Sequence, residues 1–439
     1  MTHTLIYPAH ASHNAAGHLE IDGCDIVDLV AEHGTPLIVY EEKTLRDQCR
    51  RFMEAFRART DDFEVIYASK AFCTVAVCQV VEEEGLSIDV SAGGEYHTAL
   101  VAGFPTDRMF YHGNNKTPGE LDYALDNGIG FVVVDNLDEM ELLESMAAQR
   151  GQRQRVLLRI TPGVEAHTHH YIQTGQLDSK FGFGLAEGHA VEAIRRALEA
   201  PHLELVGLHA HIGSQIFELE GFRRAIAILV DLIKETHDLY GFDCRYLNVG
   251  GGLGIRYTDE DTPITIDEYV SGKIQGVRDE MARVGLPVPR ILVEPGRSIV
   301  AKAGLTAYHV GSIKEVPGIR TYVSVDGGMS DNMRPMLYDA IYEAMIANRA
   351  DAPADTVVTV AGKHCESSDI LIKDATIARA QVGDILVMPV TGAYCFSMAS
   401  NYNGNPRPAV LLVNDGEARV IVERETYADL VARQRPLHG

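Results

Sequence analysis

Eight short apolar runs recur between residues 63 and 297, and this repetition constrains the fold more than any other feature of the chain. Each run is rich in strand-forming residues, ends in polar or glycine residues, and is separated from the next by a helix-like segment. The runs are residues 64–70, 86–94, 108–115, 131–136, 155–163, 205–215, 246–254 and 290–297. Strands that are apolar along their whole length and alternate with helices are typical of a parallel sheet buried on both faces.

This alternation predicts an α/β fold built on a (β/α)8 TIM-type barrel. The spacers 137–150 and 221–240 have apolar residues at about every third or fourth position, as amphipathic helices do. A doubly wound open sheet is the alternative, and the count of eight units favours a closed barrel. Because barrel active sites form at the carboxyl ends of the strands, the polar residues that close each run are the candidates for chemistry.

The pattern changes after about residue 304, where strand-like segments follow one another with Gly, Asp and Asn turns. These segments are residues 307–313, 320–328, 356–363, 369–377, 384–392 and 408–426. One helix-like segment, 333–348, interrupts them. We therefore predict a barrel domain over 42–303 and a mainly antiparallel C-terminal β domain over 304–439, which the N-terminal segment 1–41 joins.

Composition limits the partners and the compartment. A formal charge of −23 argues against binding to nucleic acid or to an anionic membrane surface. No run of apolar residues is long enough to span a bilayer, and the first residues lack the pattern of a signal peptide. The seven cysteines are scattered without a CxxC pair, which is typical of reduced thiols. We expect a cytoplasmic protein with a small-molecule substrate.

The first run ends in a lysine, Lys70, within FEVIYASKAF. A lysine at a strand end can hold its amine rigidly at the mouth of a barrel. In a dry mouth, desolvation lowers the pKa of an amine and makes it a nucleophile towards carbonyl groups. The motif SKA by itself fits a surface lysine better, so the interpretation depends on the other strand ends.

Three successive glycines, 250–252, follow the seventh run. Such a turn lets backbone N–H groups approach a phosphate closely, although a tight strand-to-helix turn alone also explains it. The motif matches neither the dinucleotide-binding GxGxxG pattern nor a P-loop. Ser214, at the end of another run, is placed to offer its hydroxyl to the same anion.

Three further polar residues lie at strand ends: His211 terminates the strand LVGLHAH within the sixth run, and Glu294 and Arg297 end the eighth run. His211 fits a buried core histidine, but at a barrel mouth it can also lie against an aromatic ligand. Glu294 and Arg297 in VEPGR can pair with each other. The Pro-Gly turn between them favours different partners.

Together these features match the requirements of pyridoxal phosphate, namely an amine for its aldehyde, a nest for its phosphate, a carboxylate for its ring nitrogen and a histidine for its ring face. The carboxylate would keep the ring nitrogen protonated, so that the ring accepts electrons. A metal site is less well supported, and we predict none. His167, His169 and His170 resemble ligands, but no cluster of carboxylates or cysteines completes their set.

Six motifs then occur in a characteristic order: YASKAF, GLHAHIGSQ, NVGGGLGI, EPGRS, CESSD and GAYCFSMASNYN. In this order they closely resemble those of bacterial diaminopimelate decarboxylases, which belong to the alanine-racemase-like class of pyridoxal-phosphate enzymes. The resemblance extends from about residue 34 to residue 429. It implies a barrel with a C-terminal β domain, and a homodimer whose active sites lie at the subunit interface.

The resemblance also implies roles at the cofactor. Lys70 would hold the aldehyde as a Schiff base, His211 would stack on the ring, and Glu294 would pair with the ring nitrogen. Asp89 would lie near the lysine and the cofactor. The phosphate would be held by Ser214, Gly251, Gly252 and Tyr394. Cys365, reaching in from the partner subunit, would protonate the α-carbon after CO2 leaves. An unperturbed thiol, with a pKa of about 8.5, has a proton to give near neutral pH; outside the CESSD motif, a structural thiol would be the simpler interpretation.

The substrate-binding residues implied by the resemblance are Arg297, Arg334, Tyr338, Glu366 and Tyr394. Two arginines suit a distal carboxylate, because guanidinium binds it bidentately. Lysine, ornithine and arginine offer no such group at their distal end. Glu366 would meet the substrate ammonium, where ornithine-type members have an aspartate.

The implied reaction is decarboxylation of meso-2,6-diaminopimelate at its D-configured centre to L-lysine and CO2, the last step of lysine biosynthesis. Asp339, and the run Ser367, Ser368 and Asp369, depart locally from the pattern of many relatives. Two alternatives remain open. One is a related decarboxylase acting on another basic or D-amino acid, and the other is a non-catalytic pyridoxal-phosphate-binding homologue.

Overall fold

A computed structural model describes residues 5–164 and 179–438. The chain forms two compact units. The barrel unit comprises Gln48–Ile255 and Thr262–Ser298, and the β unit comprises Met1–Asp47, Arg256–Asp261 and Ile299–Gly439. The domain boundaries inferred from the sequence, 42–303 and 304–439, stay predictions. No helix in the described ranges has both the length and the apolar character that crossing a membrane requires.

Eight parallel strands close the barrel. They are β1 (Phe63–Ala68), β2 (Ser87–Val90), β3 (Met109–Tyr111), β4 (Phe131–Val134), β5 (Gln154–Thr161), β6 (Leu203–His209), β7 (Tyr246–Asn248) and β8 (Arg290–Val293). Each strand pairs in parallel with the next, and β8 pairs with β1. A two-residue strand, Phe183–Gly184, pairs with β5. Every predicted run overlaps one of the eight strands, so the (β/α)8 prediction is confirmed.

Helices follow the barrel strands. They are Val75–Glu83, Gly93–Val101, Pro118–Asp126, Leu137–Arg150, His189–Glu199, Glu220–Tyr240 and Ile266–Val284, and Glu42–Arg57 precedes β1. Local sequence signals start and end several of them. Thr117 and Thr265 each form a reciprocal capping box with a glutamate three residues later. The helix Leu137–Arg150 ends at Gly151, whose positive φ of 62° favours glycine.

Apolar side chains fill the interior of the barrel. The cluster comprises Ile66, Phe110, Phe131, Val133, Leu157, Val206 and Leu292, contributed by six of the eight strands. Phe110 and Phe131 stack with centroids 4.3 Å apart and nearly parallel rings. Because this core occupies the middle of the strands, polar side chains are left to the strand ends.

The β unit is mainly antiparallel, as predicted. Its larger sheet contains Leu37–Glu41, Gly304–Val316, Arg320–Val325, Met345–Ile346, Thr356–Ala361, Ile370–Ile377, Ile385–Pro389, Ala409–Asn414 and Glu417–Val422. Leu37–Glu41 pairs antiparallel with Gly304–Val316 and parallel with Ala409–Asn414. A small sheet of Ala11–His13, Leu19–Ile21 and Cys24–Asp25 precedes the helix Ile26–His33.

The predicted helix over 333–348 is wrong. The helix there is limited to Arg334–Tyr338 and ends at Asp339, whose φ is 51°. A residue in the left-handed conformation ends a helix, because the backbone groups after it no longer align with the hydrogen bonds of the helix. Met345–Ile346 then pairs antiparallel with the strand Ile385–Pro389. Tertiary pairing thus outweighs the helical propensity of this segment.

Candidate active site

The carboxyl ends of the barrel strands carry the polar side chains predicted from the sequence. Lys70 lies in the single turn Ser69–Ala71 that follows β1. Asp89 lies near the end of β2, and Glu294 directly follows β8. Asp89 and Glu294 are buried, whereas Lys70 is exposed.

Asp89 is a buried carboxyl group with an unsatisfied oxygen. Burial raises its pKa well above the ordinary value, the charge of Glu294 adds to this effect, and the charge of Lys70 opposes it. Its Oδ1 has no hydrogen-bond partner among the described residues. Buried polar atoms of this kind are rare in folded proteins and are typical of ligand sites.

Glu294 is the centre of a polar frame. Its Oε2 hydrogen-bonds to His209 Nε2 at 3.0 Å, and its Oε1 accepts from Asn248 Nδ2 at 2.7 Å. His112 Nε2 lies 2.9 Å from Oε1. Burial would raise the pKa of Glu294, but the two imidazoles and their hydrogen bonds hold that pKa well below its usual range. Glu294 is therefore an ionised carboxylate that three strand ends hold in place.

Neither the two histidines nor Asn248 was predicted to be part of this site. All three close barrel strands, in RMFYHGNN, LVGLHAH and YLNVGGG, so the position at a strand end was the available signal. Strand β6 ends at His209, and the prediction that His211 terminates it is wrong. Burial lowers the pKa of His112 to about 4 and that of His211 well below its ordinary value. Both rings are therefore neutral at physiological pH.

The glycine turn packs against neighbouring backbone. Gly250 and Gly252 have φ values of 65° and 104°, which favour glycine. A Cβ at Gly251 would lie 2.1 Å from the carbonyl oxygen of Glu294, and one at Gly252 would lie 2.6 Å from that of Gly213. Only glycine fits at Gly251 and Gly252, because the chain after β6 and β8 touches the turn directly.

Ser214 and Arg297 meet beside this turn. Arg297 is buried, and its Nε and Nη2 donate to the Ser214 hydroxyl at 3.2 and 2.9 Å. Since Gly213 abuts the glycine turn, a guanidinium, a hydroxyl and a glycine turn converge in the barrel unit. These groups together are suited to an anion. Arg297 was predicted for the substrate, and its position also makes it a candidate for the cofactor phosphate.

Arg159 is a further buried charge that the sequence analysis did not single out. It lies on β5, with Nε 3.9 Å from Asp135 Oδ1 and its guanidinium 4.1 Å from the ring centre of Phe181. Burial lowers its pKa, and the charges of Asp135, Glu294 and Asp89 raise it. Its positive charge contributes to the low pKa of His211.

The other predicted residues lie in the β unit. Arg334 is buried, and its Nη1 donates to the hydroxyl of Tyr257 at 2.9 Å and to that of Tyr342. Tyr338 ends the helix Arg334–Tyr338 and is partly exposed. Tyr394 has a positive φ of 65°. The geometry brings Arg334 to two tyrosines that were not predicted, and the roles of Arg334, Tyr338 and Tyr394 stay predictions.

Cys365 and Glu366 are exposed on a turn that Asp369 organises. The Asp369 carboxylate accepts from the His364 N–H at 2.9 Å, from His364 Nδ1 at 2.8 Å and from the Met329 N–H at 2.7 Å. The Cys365 N–H donates to Asn403 Oδ1 at 2.9 Å. The thiol thus projects from a backbone that is fixed on both sides.

The prediction that there is no metal stays a prediction. His167, His169 and His170 lie outside the described residues. Among the described residues, the ligand atoms of His112, His209 and Glu294 lie within 4.8 Å of one another, as metal ligands do.

Comparison with known proteins identifies the family. Residues 42–301 match the pyridoxal-binding domain of the pyridoxal-dependent decarboxylases. The chain is 51% identical over 423 residues to the diaminopimelate decarboxylase of Bacillus subtilis (strain 168), and the aligned region covers 96% of each chain. It is 50% identical over 412 residues to that of Bacillus methanolicus, and the aligned region covers 94% of this chain and 95% of the relative.

The chain belongs to the diaminopimelate decarboxylase family. The crystal structure of diaminopimelate decarboxylase from M. jannaschii in complex with L-lysine agrees with this assignment, with a TM-score of 0.91, 34% identity and 98% of each chain covered. The predicted family, its carboxy-lyase activity and pyridoxal phosphate as cofactor are confirmed. The residues present fit that cofactor, because Glu294 is ionised, Asp89 has an unpaired buried oxygen and the glycine turn lies beside Arg297.

Proposed function

We propose that this protein removes CO2 from the D-configured centre of meso-2,6-diaminopimelate and releases L-lysine, as the last step of lysine biosynthesis. Family membership supports the reaction, and the related M. jannaschii enzyme was crystallised with L-lysine. The observation that carries the proposal is Glu294 at the carboxyl face of the barrel, a buried carboxylate that His209 and His112 keep ionised and to which Asn248 donates.

When bound, pyridoxal phosphate supplies an aldehyde that bonds covalently to amines and a ring that accepts the electrons of the breaking bond. Lys70 would hold the aldehyde, and its exposure leaves the amine accessible to it. Glu294 would hold a proton at the ring nitrogen. His211 would lie against the ring, and Asp89 would act near Lys70. The phosphate would be held by Ser214, Gly251, Gly252 and Tyr394.

The frame around Glu294 would help this carboxylate hold the proton at the ring nitrogen. A neutral carboxyl group would offer only an ordinary hydrogen bond, whereas an ionised one forms the stronger charge-assisted bond. His209 and Asn248 satisfy one oxygen each, so the carboxylate stays oriented without losing its charge. The low pKa of Glu294 is therefore a functional feature of the site.

The protonation step falls to Cys365 of the partner subunit. The α-carbon from which CO2 has left needs a proton, and a thiol can donate one. Cys365 is exposed on a turn fixed by Asp369 and Asn403, which suits a group that acts on a second chain. We therefore propose a homodimer in which the partner subunit's Cys365 completes each site.

Substrate selection would involve Arg297, Arg334, Tyr338, Glu366 and Tyr394. Tyr257 and Tyr342 hold the Arg334 guanidinium through Nη1, which leaves Nε and Nη2 as the donors that we assign to the distal carboxylate.

None of the seven cysteines, all within the described ranges, forms a disulfide. Free thiols fit a reducing compartment, and we propose the cytoplasm.

The test is an assay of the purified protein loaded with pyridoxal phosphate. We expect CO2 and L-lysine from meso-diaminopimelate, and no comparable turnover of D-lysine, D-ornithine or L-arginine. Lys70→Ala should abolish both turnover and the visible absorbance of the lysine-bound cofactor. A preference for another substrate in the panel would contradict the proposal, and so would an unchanged spectrum of Lys70→Ala.

Mixing two inactive variants tests the dimer. A heterodimer of Lys70→Ala and Cys365→Ala chains would contain one site with both residues intact, because each site takes its cysteine from the other chain. Random reassociation should therefore restore roughly a quarter of the wild-type activity. No recovery after verified subunit exchange would show that both residues act within one chain.

A further inference from the structure

Lys273 is a fully buried lysine directly beneath the glycine turn. It lies on the helix Ile266–Val284 with 0% exposure. Its Nζ donates to the carbonyl oxygens of Val249 at 2.7 Å and Gly250 at 2.8 Å. Among the described residues it hydrogen-bonds to no carboxylate. Burying an amine without an anionic partner is costly, so its position calls for an explanation.

The carbonyl of Gly250 is held by three donors at once. Besides Lys273, it accepts from the Tyr269 hydroxyl at 3.3 Å and from the Glu294 N–H at 3.2 Å. A trans peptide unit is planar, with its C=O and N–H on opposite sides. Pinning this carbonyl therefore turns the N–H of the same peptide unit, which belongs to Gly251, away from Lys273. Lys273 also donates to the Gly251 carbonyl at 3.5 Å, which turns the N–H of Gly252 in the same way.

The N–H groups of Gly251 and Gly252 have no acceptor within the described parts of the chain. In contrast, the N–H of Gly250 donates to Asn248 Oδ1 at 2.9 Å. Gly251 is buried and Gly252 half-buried. Backbone donors shielded from water are almost always paired, so two adjacent unpaired donors on the side away from a lysine mark the place of an acceptor ligand.

Lys273 can donate to these carbonyls in either protonation state. Burial lowers its pKa well below the ordinary value, and the charge of Glu294 opposes this shift. The amine lies 4.5 Å from the ring centre of Phe222 and 4.4 Å from that of Tyr269, which favours the cationic form. An anion above the turn would favour that form further.

We propose that Lys273 is a positioning residue of the phosphate site. It pins the carbonyls of the turn so that the N–H groups of Gly251 and Gly252 face the phosphate. The inference rests on the proposed function, since it takes the glycine turn as the site of the cofactor phosphate.

The experiment compares pyridoxal phosphate with pyridoxal, which lacks the phosphate, by absorbance titration of the apoenzyme. Lys273→Met keeps the apolar stem and removes the donors. We expect the Kd for pyridoxal phosphate to rise about 10- to 100-fold, the worth of hydrogen bonds to a charged group. The Kd for pyridoxal should stay within about twofold, because it does not depend on the phosphate site.

Lys116→Met is the matched control. Lys116 is also buried and donates to the carbonyls of Gly113 at 2.9 Å and Val133 at 2.7 Å, but it pairs with Glu139 and does not touch the glycine turn. This variant should lower Tm without changing the ratio of the two Kd values. Tyr269→Phe removes one donor to Gly250 and keeps the ring, so it should change the ratio slightly in the same direction as Lys273→Met.

The outcomes separate the two proposals. If wild-type apoenzyme binds both compounds equally, the phosphate does not bind at the glycine turn, and that part of the proposed function fails. If wild type prefers pyridoxal phosphate and both Lys273→Met and Tyr269→Phe keep the full preference, the role of Lys273 is refuted. If Lys273→Met does not fold, Tyr269→Phe decides, because an unchanged ratio in it also refutes the inference.

Discussion

Replacing Glu294 with glutamine tests the central feature of the site. Glutamine has the same shape and can still accept from Asn248, but it carries no charge at any pH. The native carboxylate is ionised because two imidazoles offset the cost of its burial. Glu294→Gln should therefore leave cofactor binding through Lys70 largely intact and remove the charge-assisted bond to the ring nitrogen.

The expected decrease in kcat equals the contribution of one preorganised electrostatic group in a water-poor site. Such groups contribute about 10²- to 10³-fold in kcat, or about 3–4 kcal/mol. The assay measures kcat for lysine release from meso-diaminopimelate, with the visible absorbance of the lysine-bound cofactor as the check on occupancy. We expect kcat to fall by that factor while the absorbance is retained.

Glu139→Gln is the control for general damage to the barrel. Glu139 is also buried, and its Oε1 accepts from Lys116 Nζ at 2.7 Å. This change should lower Tm and leave the kcat of the folded enzyme near the wild-type value. A kcat of Glu294→Gln within about threefold of wild type, at equal occupancy, would show that the carboxylate does not hold the ring proton. The argument from its pKa would then be refuted.

Three further predictions follow from other residues. Cys365→Ala should lower kcat about 10²- to 10⁴-fold, the usual worth of a general acid, and an unchanged kcat would assign the proton to another group. Arg334→Ala should raise KM for meso-diaminopimelate and lower the ratio of its kcat/KM to that for D-lysine. An unchanged ratio would show that Arg334 does not recognise the substrate. Burial raises the pKa of Asp331 from 3.8 to about 7, although the Tyr308 hydroxyl and the Gly328 N–H donate to its carboxylate. The folded state therefore holds this proton more tightly than the unfolded state. It loses up to about 4 kcal/mol of stability as the pH rises from about 4 to 7. Tm should therefore fall less between pH 5 and pH 8 in Asp331→Asn than in wild type, and parallel curves would contradict the assignment.

The barrel was predictable because its signals are local. Each strand is rich in apolar strand-forming residues, and each is followed by polar or glycine residues that the sequence displays directly. Helix boundaries such as Leu137–Arg150 follow from periodicity and from the left-handed Gly151. The segment 333–348 shows the limit, because its helical composition did not reveal the turn at Asp339 or the pairing of Met345–Ile346 with a distant strand.

The site was predictable in part, for the same reason. Lys70 and Glu294 were selected from their positions at strand ends, and Asp89 was selected from the resemblance to the family. His209 and His211 are two residues apart, so both follow the period of one strand. The sequence alone could not tell which one meets Glu294. Only the closed sheet shows that His209 does, at 3.0 Å, together with His112 and Asn248.

The sequence by itself determined the eight-stranded barrel, the family and the kinds of side chain at the strand ends, since these depend on local periodicity and short motifs. Only the tertiary structure decided the charge of Glu294, the meeting of Arg297 with Ser214 and the place of Lys273 under the glycine turn. Those properties depend on burial and on contacts between strands far apart in the chain. Nothing in the local pattern around Lys273 distinguishes it from an ordinary surface lysine.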